Sequence, residues 1–195
     1  MTAAALAAAY EAARGLVATM PALAAFATLP EAALAEKPGR RIPATALVEA
    51  WEGSAVPATQ PVIEAIRAAT PYADWQQTYR EEEVGADFLA RYGWFELAGP
   101  TGHVQTTEAR AFIAYWGAGL HYDWHLHEAE GLYVVLAGRA TFLAEGAPPA
   151  EIGPGGTRHH AAFQPHAMTT TDSAVLTLVL WRGAGLDGMA RMGRA

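Results

Sequence analysis

The sequence predicts a mainly β protein, a sandwich or closed barrel, preceded by a run of helices. Three observations carry that reading. Up to residue 92 the apolar residues follow helical spacing between Pro and Gly breaks, whereas after Gly93 they alternate, the shift expected where an all-β unit begins. From there the chain is cut into many short strands by Gly- and Pro-rich turns, with no repeat at solenoid periods. Within this second part, residues 121–133 hold three histidines and two tyrosines and lead into the apolar run 132–137.

Taken in order, Thr2 caps a first helix over 3–18, whose alanine content favours helix. Pro21 opens a second short helix and Pro30 a third, at a position where proline is tolerated. Residues 38–41 form a turn. A short helix over 45–51 ends before Gly53, and another over 61–69 puts Val62, Ile63 and Ile66 on one face. Pro71 begins a helical stretch through Tyr79, and 84–92 closes the series at Gly93. Strands follow at 94–97 and 111–116. In the extended stretch after Gly119, side chains alternate between faces, so His125, His127 and Tyr133 share one. The run 132–137 turns at Gly138 into 139–143 as a hairpin, 157–167 and 174–181 complete the strands, and 183–195 is a loose tail. This divides the chain into a helical subdomain at 1–92, packed on the outside of the β part, and a barrel at 93–195.

The bulk numbers exclude several classes of function. A chain of 195 residues suits one domain with an appended subdomain. With 52% apolar and 17% charged residues it can bury a core and is unlike a disordered chain. A formal charge of −7 with no basic stripe argues against a nucleic-acid partner. The absence of cysteine removes disulfides, Cys-ligated zinc, iron–sulfur clusters and thiol nucleophiles, so His, Tyr or carboxylate must hold any metal. The Ala-rich N-terminus lacks the basic n-region of a secretory signal and is interrupted by Glu11 and Arg14. No apolar run has the length of a membrane span. The expectation is a cytoplasmic protein acting on a small molecule, with no membrane partner and a homodimer as the candidate assembly.

Six of the seven histidines lie between His121 and His166. A lone histidine is usually a core or surface residue. His125 and His127, however, stand at i and i+2, a spacing that converges on one site from a strand, and imidazole is the commonest metal ligand. His166, preceded by Pro165 and a Gly-rich turn, supplies a third from a later strand. Of the adjacent pair His159 and His160 at most one points inward, as second shell or at the pocket mouth. Glu81, Glu82 and Glu83 are a solvated acidic run, and neither serine sits in a Gly-x-Ser-x-Gly elbow.

His125-Leu126-His127, the turn at Gly138, and Gly153-Pro154-Gly155 ahead of Pro165-His166 resemble the two halves of the cupin metal motif. Tyr122, His125, His127, Ala129-Glu130, Tyr133, Val135-Leu136-Ala137-Gly138, Pro165-His166-Ala167-Met168 and Trp181 together resemble the cupin-type dimethylsulfoniopropionate (DMSP) lyases, as does the segment Trp94-Phe95-Glu96-Leu97-Ala98-Gly99-Pro100. The resemblance covers most of the chain. It implies a cupin double-stranded β-helix with an N-terminal α-helical subdomain, and a metal-dependent lyase that cleaves DMSP or a close analogue to dimethyl sulfide and acrylate by β-elimination. One divalent transition ion (zinc, iron, nickel, manganese or copper) would be held by His125, His127 and His166. Tyr122 and Tyr133 are the candidate bases, Tyr133 doubling as a candidate ligand. Trp181 would face the sulfonium cation, with Phe163 and Trp124 behind it and His160 lining the substrate site.

One position departs from the family. Its motif carries a ligand Glu four residues after the second histidine, and here that position is Gly131. Glu130 is one residue off and would reach the site only if a β-bulge re-aimed it. The departure keeps two other readings open: a different cupin metalloenzyme, an isomerase or oxygenase, and a cupin that binds a small molecule without turnover.

Overall fold

A computed structural model describes residues 2–193. Six helices come first: α1 (Thr2–Thr19), α2 (Pro21–Ala24), α3 (Pro43–Ala50), α4 (Gln60–Ala69), α5 (Glu81–Val84) and α6 (Ala86–Ala90). In α1, Leu6, Ala9, Tyr10, Ala13, Leu16 and Val17 are buried, a stripe at helical spacing that packs on α4. Pro stands in the first turn of α2, α3 and α4, where its missing N–H has no helical partner to lose.

Two predicted helices are instead extended. No helix starts at Pro30: the Ala35 N–H donates to the His103 carbonyl at 2.7 Å and Leu34 bridges Val104. After a 3-10 turn at Thr70–Tyr72, the stretch to Tyr79 pairs with the first strand, Gln76 and Trp94 exchanging main-chain bonds at 2.7 and 3.0 Å. In both places backbone groups that a helix would use internally are spent on a neighbouring strand, and tertiary pairing overrides helical propensity. The second carries Tyr79 toward the barrel.

The strands are β1 (Tyr92–Gly99), β2 (Val104–Gln105), β3 (Arg110–Trp116), β4 (His121–Leu126), β5 (Glu130–Gly138), β6 (Ala140–Ala144), β7 (Ala147–Ile152), β8 (Thr157–His160), β9 (His166–Thr169), β10 (Val175–Arg182) and β11 (Arg191–Met192). They form two sheets, in the orders β2-β1-β3-β10-β5-β8 and β11-β4-β9-β6-β7. From β3 onward the chain crosses back and forth so that β3, β5, β8 and β10 build one sheet and β4, β6, β7 and β9 the other. That is the double-sheet jelly roll of the cupins. Among the described residues no hydrogen-bonded ladder joins the two sheets, so the barrel is open at its seams.

The crossings correct three expectations. Residues 121–133 are two strands in opposite sheets, not one. Gly138 is a corner between sheets: β5 pairs with β10 and β8, while the hairpin is β6 with β7. Gly138 has φ 75°, and a Cβ there would lie 1.8 Å from the Ala174 carbonyl oxygen, so the corner admits only glycine. The stretch 157–167 is likewise split into β8 and β9. Within the predicted tail, β11 pairs with β4, while residues 194 and 195 lie outside the described residues.

The helices cover the outer face of the larger sheet with an aliphatic core containing Leu23, Val48, Ile66, Ile113, Leu136 and Leu178. A second, aromatic core fills the space between the sheets and includes Trp94, Phe112, Trp116, Tyr122, Tyr133 and Trp181. His103 is buried at the seam of helices and sheet, its Nε2 accepting the Asp74 N–H at 3.1 Å.

Candidate active site

The site lies between the sheets, and local irregularities aim its side chains. Tyr122 and His125 are three residues apart and would face opposite ways in a regular strand. The register of β4 against β9 shifts between them, and both are buried, with their rings stacked 3.8 Å apart. His166, opening β9, is the register partner of His125, and their ring centroids are 4.1 Å apart. His127 follows the end of β4, its ring 5.0 Å from that of His166 and 4.2 Å from Trp181. The last residue of β8, His160, stacks parallel on His166 at 4.0 Å.

Three of the four imidazoles are oriented by main-chain carbonyls. The Nδ1–H of His125 donates to Asp123 O at 2.8 Å, that of His127 to Ala129 O at 2.7 Å, and that of His166 to Gln164 O at 2.8 Å. A carbonyl only accepts, so Nδ1 carries the proton and Nε2 a lone pair. Each of those Nε2 atoms is buried with no partner, and both ring nitrogens of His160 are also unpartnered. Burial holds His125 down to about pKa 3 and His127 to about 4, and pushes His160 and His166 well below the ordinary imidazole value, so all four rings are neutral at neutral pH.

Among the described residues no three His, Asp or Glu side chains form a ready-made metal cage. The donor chemistry nevertheless fits a divalent ion: neutral imidazoles, Nδ1–H fixed by carbonyls, and bare Nε2 atoms gathered in one buried place are how metal-ligating histidines are presented.

Beside this cluster is a cavity walled by Tyr92, Trp94, Phe112, Trp116, Tyr122, Tyr133 and Trp181, with His127 in its lining and Thr78, Met189 and Ala190 at its edge. Burial raises the phenol pKa values of Tyr122 and Tyr133 well above the ordinary value, and neighbouring tyrosines add to it. The Tyr122 hydroxyl shares a 2.6 Å hydrogen bond with that of Tyr79. The indole N–H groups of Trp116 and Trp181 are buried without a partner in the protein. Arg110 lies 4.5 Å from the Phe112 ring and 5.6 Å from that of Trp181, is ion-paired to buried Glu96 at 2.7 Å, and donates to the Leu186 and Gly188 carbonyls, tying down the segment that ends at the cavity edge.

Of the predicted site residues, His125, His127, His160, His166, Tyr122, Tyr133 and Trp181 come together. Three do not. Phe163, in the turn between β8 and β9 at φ 58°, is 54% exposed; its N–H donates to the His127 carbonyl at 2.8 Å, and it borders an outer groove with His127 and Met189, apart from the aromatic cavity. Trp124 borders a separate surface groove with His121 and Met192. Glu130 faces away from the cluster: Arg182 Nε donates to it at 2.7 Å and His159 bonds it at 2.6 Å. The register shift in β5 falls opposite Leu176 and Thr177, far along from Gly131, so no bulge re-aims Glu130.

A family model for DMSP lyase matches residues 17–177. The chain belongs to the DMSP lyase family. It is 40% identical to the DMSP lyase DddQ of Ruegeria pomeroyi over 172 residues, which cover 87% of this chain and 85% of that protein. The crystal structure of that DddQ superposes with a TM-score of 0.90 at 37% identity, covering 97% of this chain and 96% of that one. A chain from the crystal structures of the DMSP lyases RdDddP and RnDddQII superposes at 0.96 with 47% identity, covering 99% of this chain and all of the other. For a DMSP lyase-family chain, what the sequence did not disclose is the rest of the cavity wall. Thr78 and Tyr92 come from the helical half or its border, as does Tyr79, which is bonded to Tyr122, and Trp94, Phe112 and Trp116 read only as strand residues. The one available signal was alternation: 92 and 94 share a face, as do 112, 114 and 116.

Proposed function

We propose that this chain cleaves DMSP to dimethyl sulfide and acrylate, as a cytoplasmic enzyme whose His125, His127 and His166 hold a divalent metal ion. The observation that carries this reading is that His127 belongs both to the cluster of imidazoles with bare Nε2 atoms and to the wall of the aromatic cavity, so an ion-binding place and a cation-binding place adjoin. Family membership favours this reading over an isomerase, an oxygenase or a non-catalytic binder.

The substrate carries a carboxylate at one end and a dimethylsulfonium at the other. The sulfonium suits the cavity, whose Trp181, Trp94 and Trp116 faces attract a cation by their ring quadrupoles. A bound divalent ion would supply positive charge that offsets the carboxylate and favours loss of the proton beside it. Tyr122 or Tyr133, ionised to its phenolate, takes that proton. The C–H electron pair becomes the new C=C bond, the C–S bond breaks with its pair, dimethyl sulfide leaves, and acrylate remains. Buried among other phenols, either hydroxyl is a base only beside a positive charge. Tyr122 has the better connection, since its hydrogen bond to Tyr79 orients the hydroxyl and offers the proton a way out. Tyr133, whose ring lies 6.2 Å from that of His166, is placed to act as base or as a further ligand.

The test is incubation of the purified protein with DMSP and analysis of the headspace for dimethyl sulfide. Production that falls to background after metal is stripped with a chelator, and returns when a divalent ion is restored, is the expected result. No dimethyl sulfide above the stripped control under any metal overturns the proposal.

A further inference from the structure

Among the described residues the exposed large hydrophobic side chains are Leu47, Phe163 and Met189, and the last two border one groove. The groove has a volume of about 210 Å³ and adjoins the aromatic cavity, since His127 and Met189 line both. Phe163 is also the one described non-glycine residue at positive φ, 58°. A bulky side chain in the left-handed region costs free energy, and such backbone is kept mainly at active sites and ligand clamps. An exposed aromatic ring gains little from packing in return. Burial therefore does not explain why a phenylalanine stands there.

Two charges complete the groove. Glu128 and Arg191 line it, both are exposed, and among the described residues neither side chain is hydrogen-bonded or ion-paired. The walls are tied down. The Phe163 N–H donates to the His127 carbonyl at 2.8 Å, and Arg191 pairs with Leu126 across β11 and β4. The segment leading to β11 is pinned by Arg110 through the Leu186 and Gly188 carbonyls. At Gly185 a Cβ would lie 2.7 Å from that of Glu128, so this segment runs directly against the Glu128 side chain. A preformed concavity that offers an aromatic face, a free carboxylate and a free guanidinium suits a small zwitterion with a soft cation at one end. We propose that the groove is an outer binding subsite for the zwitterionic substrate, the sulfonium drawn to the Phe163 ring and Glu128 and the carboxylate to Arg191, from which it passes His127 and Met189 into the aromatic cavity. The choice of ligand rests on the activity proposed above.

Calorimetric titration with glycine betaine, a trimethylammonium carboxylate with no sulfide to lose, tests the subsite without turnover. Affinity is expected to fall about two- to fivefold in Phe163→Leu, the range of an exposed cation–π contact, and comparably in Glu128→Gln and Arg191→Gln. Phe163→Tyr, which keeps an aromatic face, should bind as the wild type does, and so should Leu47→Ser, which lies outside the groove. KM for DMSP should rise in the variants that lose betaine. Because these side chains are exposed, melting temperatures should stay within a few degrees of the wild type. Absence of betaine binding to the wild type, wild-type affinity in all three groove variants, or an equal loss in Phe163→Tyr and Phe163→Leu overturns the subsite. Loss of betaine in the groove variants of a protein that releases no dimethyl sulfide from DMSP would leave the subsite standing and overturn the activity instead.

Discussion

Along β10, Leu176, Leu178 and Leu180 face the helices, while Val175, Val179 and Trp181 face the space between the sheets. The same division runs through β5, with Leu132, Val134 and Leu136 outside and Tyr133 and Val135 inside, and through β3, with Ile113 and Tyr115 against Phe112 and Trp116. One sheet thus has two buried faces of different chemistry. The outer face is dominated by aliphatic side chains that pack on α1 and α4 and ask only to be kept from water. The inner face is aromatic; it carries the bare nitrogens of His160, Trp116 and Trp181 and looks toward those of His125, His127 and His166, which stand on or just after strands of the other sheet. Unpaired buried polar groups cost stability and persist where function requires them. Substitutions on the two faces should therefore fail in different measurements.

The largest effect belongs to the outer face. Leu178 is fully buried on a central strand, so Leu178→Ala should cost about 2–5 kcal/mol of stability through lost burial and a cavity. Denaturant unfolding measures this. Per folded molecule, kcat on DMSP should stay within about twofold, well under 1 kcal/mol of barrier. A selective loss of kcat with normal stability would mean that the outer face takes part in the chemistry.

The inner face should respond the other way. Tyr122→Phe removes one oxygen from a ring that remains stacked on His125, and Tyr133→Phe does the same across the site. At least one of the two should lower kcat by about a hundredfold or more, the range of general-base loss, with little change in the unfolding midpoint. Tyr79→Phe, which deletes only the hydrogen-bond partner of Tyr122, should fall between that variant and the wild type. Normal turnover in both Tyr122→Phe and Tyr133→Phe excludes a tyrosine base.

The two faces were also unequally legible in the sequence. The histidine spacing and the two tyrosines announced the site because their residue types are chemically distinctive. The change from helical to alternating spacing at Gly93 announced the β part. What could not be read were features decided by long-range pairing. The His125–Tyr122 stack depends on a register shift against β9, a strand distant in sequence. Tyr79 sits in a segment with helical spacing that pairs with β1 instead. The corner at Gly138 reads as a hairpin because a Gly between two apolar runs is ambiguous until the partners of each strand are known. Phe163 and Trp124 were expected behind Trp181 as further aromatic walls, yet Phe163 is 54% exposed in a turn and Trp124 borders a separate surface groove.

The smallest effect sharpens the boundary between the inner face and its rim. Glu130 stands next to Gly131 but belongs to the outside, bonded to Arg182 and His159, and those hydrogen bonds hold its carboxyl below the usual carboxylate range. A carboxyl with a depressed folded-state pKa contributes stability above its unfolded pKa, about 4.3, and loses that contribution as pH falls through the folded value. The Arg182 and Glu130 side chains are 41% and 29% exposed, so solvent limits the contribution to about 1 kcal/mol or less. Glu130→Gln should therefore lower the melting temperature by only a few degrees at neutral pH. The gap between variant and wild type should close as the pH drops below about 4. A deficit that persists unchanged below that pH would show that Glu130 stabilises the fold through something other than its charge on Arg182 and His159.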